Sequence, residues 1–154
     1  MGIKDLWRIS NHRSLSGEGG LKYAARWHSV GRRIVYLAES PAGAMVEVLV
    51  HLELEDDLPV GYTLLRVRVP DDLPLEEINV PKSNAWKSNH NLSRSLGDEW
   101  LARRTTALAR VPSALLPNTW NYLLNPLHRD AELIQIVDST RAEFDSRLLK
   151  HLRG

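Results

Sequence analysis

A carboxylate inside an apolar helix is the first feature of this sequence that suggests chemistry. Residues 42–52, AGAMVEVLVHL, predict a helix whose single acidic residue is Glu47. An ionised carboxylate among apolar side chains is costly unless a cationic or hydrogen-bonding group meets it. Of the residues three and four positions away along the helix, only His51 could partner it locally. Either a distant residue supplies the partner, or Glu47 lies on the solvent side of the helix.

Arg26 is the best placed distant partner. Residues 21–28 and 33–38 alternate as strands do, with a turn signal at 29–31 between them, and they predict a hairpin. In such a hairpin Arg26 and Tyr36 can lie on one face, and only the second strand separates Arg26 from the helix. The plainer explanations are a surface arginine with a packed stem and a core tyrosine with its hydroxyl at the rim.

Other familiar kinds of site are poorly supported. The six histidines show no metal-ligand spacing, so we expect no metal site. The absence of cysteine excludes a thiol nucleophile and a zinc–thiolate site. No glycine-rich phosphate loop or nucleophile elbow is present, and GEGG at 17–20 precedes a predicted strand rather than opening a helix. Ser113 follows a proline, where it most simply marks the end of a strand.

The helices and strands that position these side chains are themselves predicted from the sequence. Predicted strands outnumber predicted helices without alternating strictly with them, which indicates an α+β fold. Ser40 and Pro41 supply a cap and a first-turn proline for the helix at 42–52, and DDLPVG at 56–61 ends it. The further predictions are a strand at 62–69, a long polar connection at 70–98, a helix at 93–105, a strand at 107–116 interrupted at Pro112, a turn-rich stretch at 117–133, a strand at 133–137 and a short helix within 145–152. We find no linker or repeat, so we expect one domain, 1–154.

Composition narrows the class of protein. With 43% hydrophobic and 25% charged residues and no apolar run of membrane-spanning length, the chain is expected to be soluble and not membrane-bound. The start lacks the apolar core of a signal peptide, which favours the cytoplasm. Twenty basic residues against nineteen acidic ones give a net charge of +1, which argues against direct nucleic-acid binding.

An ordered set of motifs gives the sequence a family resemblance. These are LWRIS, GGLKYAARWHSVGRRIVYLAESPAGAMVEVLVHL, LGDEWL, VPSALLP, NYLLNPLHRD and FDSRLL. Together they resemble the RES-domain toxins of bacterial RES–Xre toxin–antitoxin modules, over nearly the whole chain. The resemblance implies a fold similar to ADP-ribosyltransferases of the diphtheria-toxin type. It also implies depletion of NAD, the substrate, by cleavage of its nicotinamide–ribose bond and transfer of the ADP-ribosyl group to water, phosphate or a protein.

The resemblance also implies which residues act. Carried over by motif, the catalytic residues are Arg26, Tyr36 and Glu47, and those that bind NAD are Arg8, Arg26, Tyr36, Ser113 and Asn125. A carboxylate can stabilise an oxocarbenium-like ribose, and a guanidinium recognises a diphosphate or a ribose edge. The partner implied is a cognate Xre-type antitoxin that forms a hetero-oligomer and covers the site or restricts residues 79–98. Two alternatives remain: an ADP-ribosyltransferase that modifies a specific host protein, and a ribonuclease or nucleic-acid-binding toxin.

Overall fold

A computed structural model describes residues 4–52 and 60–150. In chain order the described elements are β1 (Lys4–Ser10), α1 (Gly19–Lys22), β2 (Val35–Ala38), α2 (Pro41–Leu52), β3 (Gly61–Val69), β4 (Leu75–Glu77), a 3₁₀ turn (Asn84–Ser88), α3 (His90–Arg103), β5 (Leu108–Pro112), β6 (Trp120–Leu124), a second 3₁₀ turn (Arg129–Leu133), β7 (Gln135–Glu143) and α4 (Ser146–Lys150). The predicted α+β class is confirmed.

Seven strands form one mixed sheet in the order β4-β5-β6-β2-β1-β3-β7. The β4–β5 pair is parallel and every other pair is antiparallel. Because β2 joins β6 on one side and β1 on the other, segments far apart in the sequence meet at the middle of the sheet. None of the helices in the described ranges is long and apolar enough to span a membrane.

Both faces of the sheet bury apolar side chains, which explains why β5 and β6 are hydrophobic almost throughout. In β6, Tyr122 belongs to one apolar cluster with Leu65 and Val67, and its neighbour Leu123 belongs to the other. Trp100 of α3 is fully buried in the second cluster, where its indole Nε1 donates to Thr106 Oγ1 at 3.1 Å. Helix α3 therefore lies on the Leu123 face, as expected for a strand covered on both sides.

The helix that carries Glu47 begins as predicted. Ser40 Oγ accepts a hydrogen bond from the Gly43 N–H at 3.0 Å, and Pro41 occupies the first helical position, where it has no N–H to satisfy. Helix α2 packs against β1 and β2. Most of the predicted terminator at 56–61 lies outside the described residues.

The predicted hairpin of 21–28 with 33–38 is wrong. Residues Gly19–Lys22 form the short helix α1, and Ala25 and His28 close a tight turn through the Ala25 N–H and the His28 carbonyl, 3.2 Å apart. The alternation of apolar and polar residues at 21–28 is too short to distinguish a strand from a turn. Here the turn is held in place by contacts with distant parts of the fold. Strand β2 pairs with β1 and β6 instead.

Several further segments differ from their predictions. The polar connection at 70–98 contains β4, a 3₁₀ turn and the beginning of α3, which starts at His90 rather than at 93. The stretch at 117–133, predicted to be turn-rich, contains the central strand β6. The strand predicted at 133–137 starts at Gln135 and continues to Glu143. The strand predicted at 62–69 is confirmed. The strand predicted at 107–116 runs from Leu108 to Pro112 only, so Ser113 comes immediately after it.

Candidate active site

A cleft of about 540 Å³ opens between α2, the beginning of α3 and the middle of the sheet. We call it the cleft throughout, and its volume falls within the range of small-molecule sites. The polar and charged side chains at its wall are those of Arg8, Arg26, Tyr36, Glu47, His90, Arg94 and Asn121. Four of the residues predicted from the sequence, Arg8, Arg26, Tyr36 and Glu47, are therefore brought together.

Glu47 faces the sheet and the cleft, and its hydrogen bonds come from distant residues. Its Oε1 accepts from Asn121 Nδ2 at 2.8 Å and from Ser113 Oγ at 3.4 Å. No described residue hydrogen-bonds Oε2. The predicted partner, Arg26, acts on Glu47 through charge, and no direct ion pair is formed between them. The carboxylate thus has one oxygen held by the protein, and its other oxygen is left without a hydrogen bond from the described residues at the wall of the cleft.

Ser113 shares its hydroxyl between the local backbone and Glu47. Its Oγ accepts from the N–H groups of Leu115 and Leu116 at 3.1 and 3.2 Å, while its one hydroxyl proton points to Glu47. The serine is 4% exposed, and its own N–H donates to the Thr119 carbonyl at 2.9 Å. Ser113 therefore braces the turn between β5 and β6 and reaches the cleft only through Glu47.

Arg26 is held at the rim of the cleft by the segment before α3. Its Nη1 donates to the Lys87 carbonyl at 2.6 Å, and its guanidinium lies 6.0 Å from the centre of the Trp86 ring. Burial lowers the pKa of Arg26, and Glu47 opposes that effect. The guanidinium remains charged, since its pKa starts far above neutrality.

Helix α3 fixes the backbone on either side of Arg26. Ser93 Oγ donates to the Arg26 carbonyl at 2.6 Å, and Arg94 Nε donates to the Ala25 carbonyl at 2.8 Å. One turn further on, the carboxylate of Asp98 accepts from Ser29 N at 3.0 Å and from Ser29 Oγ at 2.7 Å. Three side chains of one helix thus hold the turn that carries Arg26.

Gly97 allows this close approach. A Cβ at position 97 would collide with the carbonyl of Trp27, so only glycine lets α3 reach the 25–28 turn. Gly97 lies in LGDEWL, and this contact gives a physical reason for glycine in that motif.

Tyr36 is tied to the same turn through His28. The Tyr36 hydroxyl lies 2.6 Å from His28 Nδ1 and accepts from the Trp27 N–H at 3.1 Å, and His28 Nε2 lies 2.8 Å from the Tyr23 carbonyl. Because a carbonyl only accepts, Nε2 carries a proton, and burial lowers the pKa of His28, which keeps the ring neutral. Nδ1 is then an acceptor, and the Tyr36 hydroxyl donates to it.

The Tyr36 hydroxyl therefore has little capacity left for proton transfer. Both its donor and one acceptor position are used, and burial raises its pKa well above the usual value. What Tyr36 offers a ligand is the face of its ring. His28, which completes this arrangement, was not singled out by the sequence.

Arg8 is a largely buried cation at the base of the cleft. Its Nη1 donates to the Tyr36 carbonyl at 3.2 Å, and its Nε is buried without a partner. Burial lowers the pKa of Arg8, and no carboxylate in residues 4–52 or 60–150 forms an ion pair with it. An uncompensated buried guanidinium is costly, so the site is better satisfied with an anion in the cleft.

Asn125 is placed elsewhere. It is 2% exposed and does not line the cleft. Its Nδ2 donates to the Leu101 carbonyl at 3.2 Å and its Oδ1 accepts from the Leu127 N–H at 3.1 Å, so it joins the end of β6 to α3. Asn125 therefore lies outside the cleft lining, and its predicted contact with NAD stays a prediction.

Three polar residues at the cleft were not singled out by the sequence, namely Asn121, His90 and Arg94. Asn121 holds Glu47, and no local pattern marks it. His90 begins α3 at the cleft wall, where the positive charge of Arg26, more than burial, lowers its pKa. Within the described ranges, no group of three His, Asp or Glu side chains could hold a metal ion.

The chain is similar to known proteins over nearly its whole length. A model of the RES domain matches residues 5–145. A protein of Pseudomonas putida named Toxin Res is 45% identical over 146 residues, which cover 93% of this chain and 98% of the relative. The Prs ADP-ribosylating toxin of a Sphingobium species is 34% identical over 155 residues, covering 94% and 96% of the two chains.

A solved structure shares the fold. A chain in the crystal structure of the M. tuberculosis MbcT–MbcA toxin–antitoxin complex matches with a TM-score of 0.75 at 19% identity. The match covers 98% of this chain and 89% of that one. At this identity the likeness is one of fold.

Proposed function

Because this chain belongs to the RES-domain family, we propose that it is the toxin of a toxin–antitoxin pair and that it acts by cleaving the nicotinamide–ribose bond of NAD. In this proposal the RES domain occupies residues 1–154, the fold is related to the ADP-ribosyltransferases, and the enzyme works in the cytoplasm. The observation that carries the proposal is the position of Glu47, which lines the cleft together with Arg8 and Arg26 and has one oxygen that no described residue hydrogen-bonds.

The carboxylate fits the demands of the reaction. As the glycosidic bond of NAD breaks, positive charge develops on the ribose, and a fixed negative charge nearby stabilises that transition state more than the ground state. The leaving nicotinamide takes the bonding electrons, which neutralises its ring. Glu47 Oε2 is the atom we assign to this role, either against the ribose ring or against a ribose hydroxyl.

The two arginines fit the diphosphate and ribose of the same molecule. Arg8 has an unpartnered Nε and no ion-pair partner among the described residues, so an anionic diphosphate would compensate its charge. Arg26 keeps N–H donors beyond the one given to Lys87, and its position at the rim suits a ribose or phosphate edge. The Tyr36 ring can stack on nicotinamide and exclude water from the leaving side.

The acceptor of the ADP-ribosyl group is water or phosphate in our leading proposal. Transfer to a particular host protein is the second candidate, and it is favoured by the name of the Sphingobium relative, an ADP-ribosylating toxin. A ribonuclease or nucleic-acid-binding toxin receives no support from the near-neutral charge of the chain.

We propose an Xre-type antitoxin as the partner. The structural neighbour comes from a toxin–antitoxin complex, which supports an antitoxin of some kind. The 3₁₀ turn at Asn84–Ser88 bonds Arg26 through Lys87, so a partner that contacts this turn would influence the cleft.

The test combines product analysis with one substitution and its control. Purified protein is incubated with NAD, with and without phosphate, and the products are identified by mass. Glu47→Ala should abolish NAD loss, while Glu132→Ala, at an exposed position on the second 3₁₀ turn, should leave it unchanged. Continued NAD loss in Glu47→Ala would show that the assignment of Glu47 is wrong.

The acceptor is decided by a second measurement. A lysate incubated with labelled NAD gives a discrete labelled protein band if a host protein is modified. Free ADP-ribose, or its phosphorylated form, supports cleavage with water or phosphate as acceptor.

A further inference from the structure

Asn121 makes the shortest hydrogen bond to the carboxylate of Glu47. It lies in β6, where its backbone pairs with Ala38 of β2 on one side and Val111 of β5 on the other. A residue paired on both sides in the middle of a sheet has a fixed Cα–Cβ direction, so its side chain is a rigid support. From there its Nδ2 donates to Glu47 Oε1 at 2.8 Å.

The other donor to Glu47 is weaker. Ser113 Oγ lies 3.4 Å from the same Oε1, near the limit of a hydrogen bond, and it also serves two backbone N–H groups. Glu47 has a long side chain with several rotatable bonds, and an exposed rotamer would carry the carboxylate away from the ribose. Without Asn121, only the long bond to Ser113 among the described contacts would keep Oε1 against the sheet.

We propose that Asn121 is a positioning residue for the reaction, which fixes the rotamer of Glu47 and leaves Oε2 aimed into the cleft. The inference rests on the proposed function for what Glu47 does. Asn121 acts through Glu47, so its loss should lower the rate of the chemical step while leaving the binding of NAD in place.

Two substitutions separate positioning from packing. Asn121→Ala removes the donor and some volume, whereas Asn121→Asp keeps the shape and replaces the donor with a second carboxylate. If Asn121 only fills space, Asp should be tolerated better than Ala. If Asn121 positions Glu47, Asn121→Asp should be more harmful than Asn121→Ala at alkaline pH, because the new carboxylate and that of Glu47 would then both be negatively charged and repel each other.

The expected results are specific. In Asn121→Ala, kcat should fall on the order of 100-fold with KM and NAD affinity nearly unchanged, the size of effect seen when a catalytic group is misplaced by about 1 Å. In Asn121→Asp, kcat should fall further as the pH rises and recover as it falls, because one proton shared by the two carboxylates restores a donor. The charge-matched control Asn79→Asp, at an exposed position outside the cleft, should behave as wild type.

Melting temperatures are measured for each variant, so that a folding defect is seen directly, and equilibrium binding of NAD to Asn121→Ala shows whether the cleft is intact. Wild-type protein that leaves NAD untouched refutes the proposed function, and this inference with it. Wild-type turnover combined with full kcat in both Asn121 variants, or with loss of NAD binding instead of kcat, refutes the inference alone.

Discussion

Replacing Gly97 with alanine tests how α3 holds the turn that carries Arg26. The added Cβ would collide with the carbonyl of Trp27, which is backbone and cannot rotate away. The helix and the turn must then separate, which strains two hydrogen bonds, from Ser93 to the Arg26 carbonyl and from Arg94 to the Ala25 carbonyl.

The magnitude follows from these contacts. Overpacking of a close contact costs about 1–3 kcal/mol, and each weakened hydrogen bond adds up to about 1 kcal/mol. Alanine in a helix interior returns about 1 kcal/mol relative to glycine. The free energy of unfolding should therefore fall by about 2 kcal/mol, which for a domain of this size lowers the melting temperature by about 4–8 °C.

The assay is thermal and urea unfolding of protein made by cell-free synthesis, which avoids toxicity to a host. Gly19→Ala is the matched control, because a Cβ at Gly19 meets nothing within 4 Å. That variant should be neutral or stabilised by up to about 1 kcal/mol. NAD turnover should fall in Gly97→Ala because Arg26 is displaced. A Gly97→Ala protein as stable as wild type would refute the idea that this contact sets the helix position.

Two other predictions concern the charged groups near the cleft. Burial lowers the pKa of His28, so its contribution to stability is fully present above the unfolded pKa of about 6.5 and is lost as pH falls through the lower folded pKa. His28→Gln should therefore lose stability less steeply than wild type below pH about 6.5, by up to about 1.4 kcal/mol per pH unit, and identical slopes in urea titrations would count against a neutral buried ring. Arg8→Met should raise the free energy of unfolding by about 1 kcal/mol or more, because a buried cation without an ion-pair partner is removed, and should weaken NAD binding at least about tenfold. Urea unfolding checks the first effect and calorimetry of NAD binding checks the second, with the exposed Arg13→Met as control for both. An Arg8→Met protein that is destabilised and binds NAD normally would contradict both expectations.

The sequence alone predicted the structure correctly where interactions between neighbouring residues determine it. The capped start of α2 at Ser40 and Pro41, the alternating strand β3 and the end of β5 before Ser113 all depend on neighbouring residues, and all three are confirmed. Glu47, the single carboxylate of an otherwise apolar helix, was predicted to be a site residue, and it lies at the cleft.

The sequence alone did not predict the structure correctly where contacts between distant residues determine it. Strand β6 is flanked by asparagine and proline, which predict turns, and it forms a strand because both of its faces are buried between apolar layers. For the same reason the hydrogen-bond partner of Glu47 was missed, since Asn121 lies on that strand. Arg26 and Tyr36 do meet, but through His28 and α3 rather than through the predicted hairpin.

The ribosome makes the chain from its N-terminus, so the order of the strands in the sheet determines when the candidate site can form. Glu47 is held by Ser113 and Asn121, which follow it by 66 and 74 residues. During synthesis the helix with its carboxylate emerges from the ribosome long before the strand that fixes it. Under the proposed function, a nascent or truncated chain that stops before β6 would lack the support for its carboxylate and would be harmless to the cell that makes it. Harm would begin only once the last third of the polypeptide had folded, which leaves time for an antitoxin already present to bind.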